Sequence, residues 1–281
     1  MGLFSFGGVI LDLLIMVFEA WNSMVDIVFG LLTDSPENFK NGAPWQIIEE
    51  INPIFVAVGS SLVVIFFVIG FCSESIDVKE EMRLEKILTL LVRLGLAEFF
   101  VANNVTIMKA VFTSVGNLVS LLSMGNGVHL KMTRSAAEVI ADLGFCESIL
   151  MLILTVVLAL VILVCGFFLI YTVYFRFLKI MVIVPLGSLA YSTMSGNRMV
   201  TSTAITYTKY FLSVAFEAVT MALAIIVCNS LLNAGMPIIN GDDGGGWTAV
   251  LLYLCEVTFG IALTVGSVKG AQNLTSKALG L

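Results

Sequence analysis

RFLKIMVIVPLGSLAYSTMSGNRMV, residues Arg176 to Val200, opens on the cations Arg176 and Lys179, runs apolar, meets Pro185 and then turns small and polar. Whether this stretch crosses a membrane or dips in and returns decides the topology of the whole chain. A crossing helix needs about 20 apolar residues. The run from Ile180 to Ala190 holds 11. Cations flank it on both sides, with Arg198 and Lys209 following. Pro185 removes a backbone donor and Gly187 loosens the chain, which suits a re-entrant break. The segment 178–194 is therefore read as a re-entrant or interfacial dip on the cytoplasmic side.

Composition sets the solvent. Of 281 residues 59% are apolar and 12% charged, against about 25% charged in soluble domains. The uncharged runs are continuous and reach spanning length, which excludes the alternating pattern of a β-barrel. The predicted fold class is all-α: a polytopic membrane helix bundle of about five transmembrane helices, plus an N-terminal amphipathic helix and the re-entrant or interfacial segment. The expected spans are 54–71, 90–111, 148–175, 210–232 and 247–266. Asn52 and Pro53 read as the cap and first turn of the first span. Tyr171, Tyr174 and Phe175 form an interfacial cluster at the end of the third.

Cations give the direction. Lys79, Arg83, Lys86 and Arg93 lie around the first cytoplasmic turn. Arg176, Lys179, Arg198 and Lys209 lie around the second, and Lys269 and Lys277 follow the last span. The complementary loops are poorer: Lys40 alone in 33–52, Lys131 and Arg134 in 123–147, and none in 233–246. The positive-inside rule then predicts a multi-pass protein of the cytoplasmic membrane with its N-terminus outside and its C-terminus inside. If the segment at Pro185 crossed, Arg198 and Lys209 would fall on the wrong face.

Residues 1–33 are expected to form an extracytoplasmic amphipathic helix, and 34–281 the transmembrane domain. Ser5, Asp12, Glu19 and Asp26 recur every seven residues, with Asn22 and Ser23 beside them. Seven residues are nearly two helical turns, so these groups make one narrow stripe on an otherwise apolar helix. The stripe is either a solvated face or an acidic lining contributed by each subunit of a ring. No Lys or Arg precedes Lys40, so a cleaved secretory leader is not expected.

Glu98, Glu217 and Glu256 fall about mid-span, with Arg93 on the cytoplasmic half of the second span. A charge near the bilayer centre costs at least about 2.5 kcal/mol, so each is expected to face protein or water. They are either internal partners holding helices together or part of a polar lumen or proton-coupled site. Ala262, Gly266 and Gly270 form a small-residue stripe suited to close helix approach. The charged segment Asp77–Lys86 reads as a solvated face, and the loop Asn240–Gly246 as a turn lacking calcium-loop spacing. Cys72, Cys146, Cys165, Cys228 and Cys255 make no CxxC pair, and His129 is the one histidine. No metal, cofactor, nucleotide motif or catalytic dyad is read in the chain, so it is not expected to be an enzyme.

This organisation resembles one known family. An outer amphipathic segment precedes five spans. A long apolar helix leads into FRFLKI, the Pro-Leu-Gly-Ser-Leu-Ala dip, a Gly-Asn-Arg turn and YTKYF. It is similar to the TrbL-type polytopic inner-membrane subunit of type IV secretion and conjugation systems. The resemblance implies an oligomeric channel or scaffold that helps a DNA–protein substrate cross the cytoplasmic membrane. Its partners would be the lipid bilayer, further copies of itself and other secretion-system subunits, including separate ATPases and a coupling protein. Arg176, Lys179, Arg198 and Lys209 would form its cytoplasmic contact surface, toward phosphate or acidic partners; alternatively they only set topology and touch anionic lipid. A small-molecule or ion transporter and a holin-like pore-forming protein are the other readings open at this level.

Overall fold

In hydrocarbon no water satisfies the backbone, so long apolar runs must bond within themselves. The computed structural model describes residues 6–77, 84–123, 129–132, 137, 138, 140, 144–234 and 247–280, and no strand occurs among them. The long helices are α1 (Phe6–Thr33), α2 (Ala43–Asp77), α3 (Leu84–Ser123), α4 (Phe145–Ser192), α5 (Arg198–Ala234) and α6 (Trp247–Ala278). All six are long and apolar enough to cross a membrane. The fold is an all-α polytopic bundle. The loop 240–246 and most of the charged segment 77–86 lie outside the described residues.

Two compact units divide the chain. One takes in Met1–Leu32, Val119–Tyr174 and Val219–Ala271; the other takes in Thr33–Leu118, Phe175–Ala218 and Gln272–Leu281. In the first, Ile10 and Leu14 of α1 pack with Met151 of α4, Val250 and Leu254 of α6, and Ile140. Farther along α1, Val17, Trp21, Val25 and Val28 continue the buried face, while Asp12, Glu19 and Asp26 are exposed. The seven-residue acidic stripe is thus a real face of a real helix. That helix also has the length and apolarity of a span, with 27 suitable residues, beyond the purely interfacial role expected for it.

In the second unit two expectations are corrected. The first span was expected to start at Asn52 and Pro53, yet α2 starts at Ala43 and Pro53 lies inside it. Pro44 takes the favoured early-turn position instead. The early turns are held by Trp45, whose Nε1 donates to Glu49 Oε1 at 3.0 Å. The charges there are neutralised by Lys109 of α3, whose Nζ lies 2.7 Å from Glu49 and 3.3 Å from Glu37.

The second correction concerns the opening stretch. Pro185 and Gly187 do not break the chain: α4 is one helix of 48 residues that continues through Pro185 to Ser192, then tightens into a 3₁₀ turn at Thr193–Ser195. Proline costs a helix its own N–H, here the one that would bond Met181 O, and crowds the preceding turn; side chains of neighbouring helices bond two carbonyls close beside it. Tyr207 Oη donates to Ile183 O at 2.8 Å, and Asn104 Nδ2 donates to Val184 O at 2.6 Å. One face of the segment is core. Ile180, Val184, Ser188, Ser192 and Ser195 are all buried.

Small residues make that burial possible. Ser188 Oγ donates to Val101 O at 3.3 Å, and Ser195 Oγ to Val63 O at 2.8 Å. A Cβ on Gly59 would come within 2.8 Å of Ser188 O, and one on Gly187 would strike the Asn104 amide. Gly59→Ala should therefore lower stability by about 1–3 kcal/mol through forced separation of α2 and α4. Gly95→Ala, on α3 with open space around it, should instead raise it by about 0.5–1 kcal/mol from helix propensity. The midpoint of loss of helical signal in mild detergent would measure both, and opposite signs are the expected outcome.

Candidate functional site

An ion cannot be buried without compensation, because removing it from water costs several kcal/mol even after relaxation. The second unit buries two. Arg176 is 2% exposed and Glu217 is 3% exposed. Arg176 stands on α4 immediately before the buried run, where Phe177 follows it into the core and stacks on Phe39 with centroids 4.2 Å apart. Its Nε donates to Val214 O at 3.2 Å and its Nη2 to Ala215 O at 3.3 Å, both carbonyls of α5. The guanidinium carbon also lies 5.7 Å from the Phe177 ring centre. One turn along α4, Lys179 Nζ lies 3.6 Å from Glu217 Oε1 and 5.3 Å from the Phe175 ring centre. The Lys179 side chain keeps 23% exposure. It is the member of the trio that reaches the surface.

Three of the residues singled out from sequence thus stand in company that was not expected for them. Arg176 and Lys179 were expected on a cytoplasmic contact surface and Glu217 in the spans. They form one charge centre between α4 and α5, and Arg176 is buried away from any outside partner. The reason is geometric: a guanidinium has five donors in a rigid fork, and neighbouring α5 carbonyls accept two of them. Of the other expected contact residues, Lys209 is exposed on α5 and Arg198 is that helix's first residue.

The remaining intramembrane candidates have other settings. Glu98 is exposed on α3, and Ser60 Oγ of α2 donates to its Oε1 at 2.8 Å. Arg93 is half-buried on the same helix. Glu256, in the other unit, is half-buried on α6 and lines a cavity of about 570 Å³ with His129, Lys131 and Tyr253. In α1, Asp26 Oδ1 lies 3.8 Å from His129 Nε2; Asp12 and Glu19 are exposed.

Several working residues were missed from sequence. Lys109 lay inside an expected span with no role, although a cation there demands an acid, and Glu37 and Glu49 were available. Asn104 and Tyr207 carried no signal beyond being polar groups in apolar helices. Among the described residues no group of three or more His, Cys, Asp or Glu could hold a metal ion. Comparison with protein-family models, curated proteins and solved structures finds no match to this chain.

The charge centre has a direct test. Arg176→Met removes one of two cations near the buried Glu217 carboxylate, leaves Lys179 at 3.6 Å, and should cost about 1–3 kcal/mol. Adding Glu217→Gln should recover part of that loss, since the carboxylate that felt the missing cation is then neutral. Unfolding midpoints of the two single variants and the double variant in the same detergent would read the coupling; simple additivity would mean the two groups do not interact.

Proposed function

We propose that the chain is a membrane-embedded subunit of a type IV secretion or conjugation machine, assembling with copies of itself to help a DNA–protein substrate cross the cytoplasmic membrane. The observation that carries the reading is the outward face of α3. Glu98, Ala102, Thr106, Ala110 and Ser114 follow one another at four-residue spacing and are all exposed. A carboxylate at membrane depth costs at least about 2.5 kcal/mol toward lipid, while small residues at this spacing favour close helix approach. A lone bundle leaves this face exposed; a ring of subunits or a polar lumen would cover or solvate it. The class of machine comes from the TrbL-type resemblance at Phe175–Phe211, and energy would come from separate ATPase subunits.

The cation distribution supports a cytoplasmic C-terminus, with Lys269 and Lys277 on that side. The acidic stripe of α1 supports an N-terminal helix lying in the outer interface, its N-terminus outside. The opposing reading, a small-molecule or ion transporter, has no comparable support, since an isolated transporter does not need an unfinished polar face.

The test uses native membranes of a donor cell. A Thr106→Cys chain should cross-link to a second copy through α3 and copurify with the secretion ATPase and coupling protein, and deletion of the gene should abolish transfer. A chain that stays monomeric in membranes, or uptake or current by the purified chain alone, would overturn the reading. Labelling a cysteine near the N-terminus and one at Lys277 from outside intact cells should modify only the first.

A further inference from the structure

The cavity beside α6 lies wholly within the first unit and has no part in the buried charge centre. Its volume, about 570 Å³, falls in the range of roughly 300–1,000 Å³ that small-molecule sites occupy. Its wall is built. Residues 129–132 are irregular chain, and Asn22 of α1 takes both backbone groups of Leu130. The Asn22 Nδ2 donates to Leu130 O at 3.0 Å, and Leu130 N donates to Asn22 Oδ1 at 2.8 Å. From α5, Asn233 Nδ2 donates to His129 O at 3.5 Å. An amide that holds the N–H and C=O of one residue stands in for a paired strand, so the segment is fixed in position.

That fixed segment brings His129 and Lys131 to the cavity, while α6 brings Tyr253 and Glu256, with Phe18 and Val257 among the apolar lining. The mixture of charge restricts the occupant. A simple anion would meet the Glu256 carboxylate, and a simple cation would meet the Lys131 ammonium. A zwitterion satisfies both. Lysine is a point-charge phosphate binder. A carboxylate takes charge-assisted hydrogen bonds from an ammonium that still carries N–H, and an aromatic face adds attraction. A quaternary ammonium offers the carboxylate no donor. The apolar lining favours a group that continues into hydrocarbon.

We propose that this cavity binds a phosphate–primary ammonium zwitterion, the phosphoethanolamine group, with the phosphate toward Lys131 and His129 and the ammonium toward Glu256 and Tyr253. The group has two sources, a phosphatidylethanolamine headgroup or free phosphoethanolamine, and the experiment separates them. The full chain is purified in detergent and binding of soluble phosphoethanolamine and phosphocholine is measured by calorimetry. In parallel the chain is placed in nanodiscs of equal phosphatidylethanolamine and phosphatidylglycerol, and the retained lipid is counted by native mass spectrometry.

The expected result is preference for the ethanolamine species over phosphocholine or phosphatidylglycerol. Glu256→Gln and Lys131→Gln should each weaken binding about tenfold, equal to 1.4 kcal/mol. Lys131 is exposed, so its variant keeps the fold, which the helical signal and elution volume would verify. Binding of phosphatidylethanolamine alone supports the proposal with the lipid as source, and binding of the soluble group supports it with a free ligand. Equal retention of both lipids with no ethanolamine preference in solution, binding unchanged in both variants, or no binding in either arm would overturn it.

Discussion

The hydrogen bond from Asn104 Nδ2 to Val184 O is the contact around which the second unit is arranged. Proline at 185 removes the helical bond to Met181 O and weakens α4 at this turn, so bonds from neighbouring helices to the carbonyls beside it carry more of the segment's fixing. Asn104 of α3 and Tyr207 of α5 place donors on the two carbonyls preceding the proline. To let them in, α4 has glycine at 187 and serine at 188, where the bulk of a larger side chain would hold α3 and α2 away. A sequence feature that ends helices in water thus becomes, among packed helices, the place where three of them meet.

The same rule of internal satisfaction sorts the charges. Glu217 is buried against Lys179, in the field of Arg176, and Arg176 spends its fork on α5 carbonyls. Glu98 takes a serine hydroxyl but stays on the surface of α3. Glu256 opens on a cavity with two potential cations in its wall. Three carboxylates at similar depth in their helices have three different settings. Only the first is buried; the other two keep contact with the surface or a cavity.

The periodicity of the apolar runs made the helices legible, because a continuous uncharged stretch of spanning length has one stable form in hydrocarbon. The acidic stripe of α1 was legible for the same reason: a repeat of seven maps onto one face. What escaped was everything decided between helices. Pro53 and Pro185 read as a start and a break by local rules, but one lies inside α2 and the other inside α4. Arg176 read as an exposed topology signal because sequence spacing does not reveal that Val214 and Ala215 stand opposite it. The pairing of Lys109 with Glu37 and Glu49 was recoverable from charge alone, since a cation in a span calls for an acid at its end. The link from Asn22 to Leu130 was not, for asparagine beside an acidic stripe reads as more of the stripe.

The outward polar face of α3 and the inward charge centre of α4 and α5 bear on one another through cost. Removing one partner of a buried ion pair costs about 3–5 kcal/mol, enough to consume a large part of the 5–15 kcal/mol that holds a domain folded. A bundle that keeps Arg176 and Glu217 inside has little tolerance for a further carboxylate set against lipid. Glu98 is nonetheless present, on a face where Ala102, Thr106, Ala110 and Ser114 leave room for another backbone. In the membrane, association is driven by close packing and interhelical hydrogen bonds rather than by apolar burial, and this face supplies the small residues for the one and the hydroxyls and carboxylate for the other. Assembly on α3 would therefore relieve the cost of Glu98 by the same means the chain already uses around Pro185: polar atoms of one helix placed where a neighbouring backbone can come close.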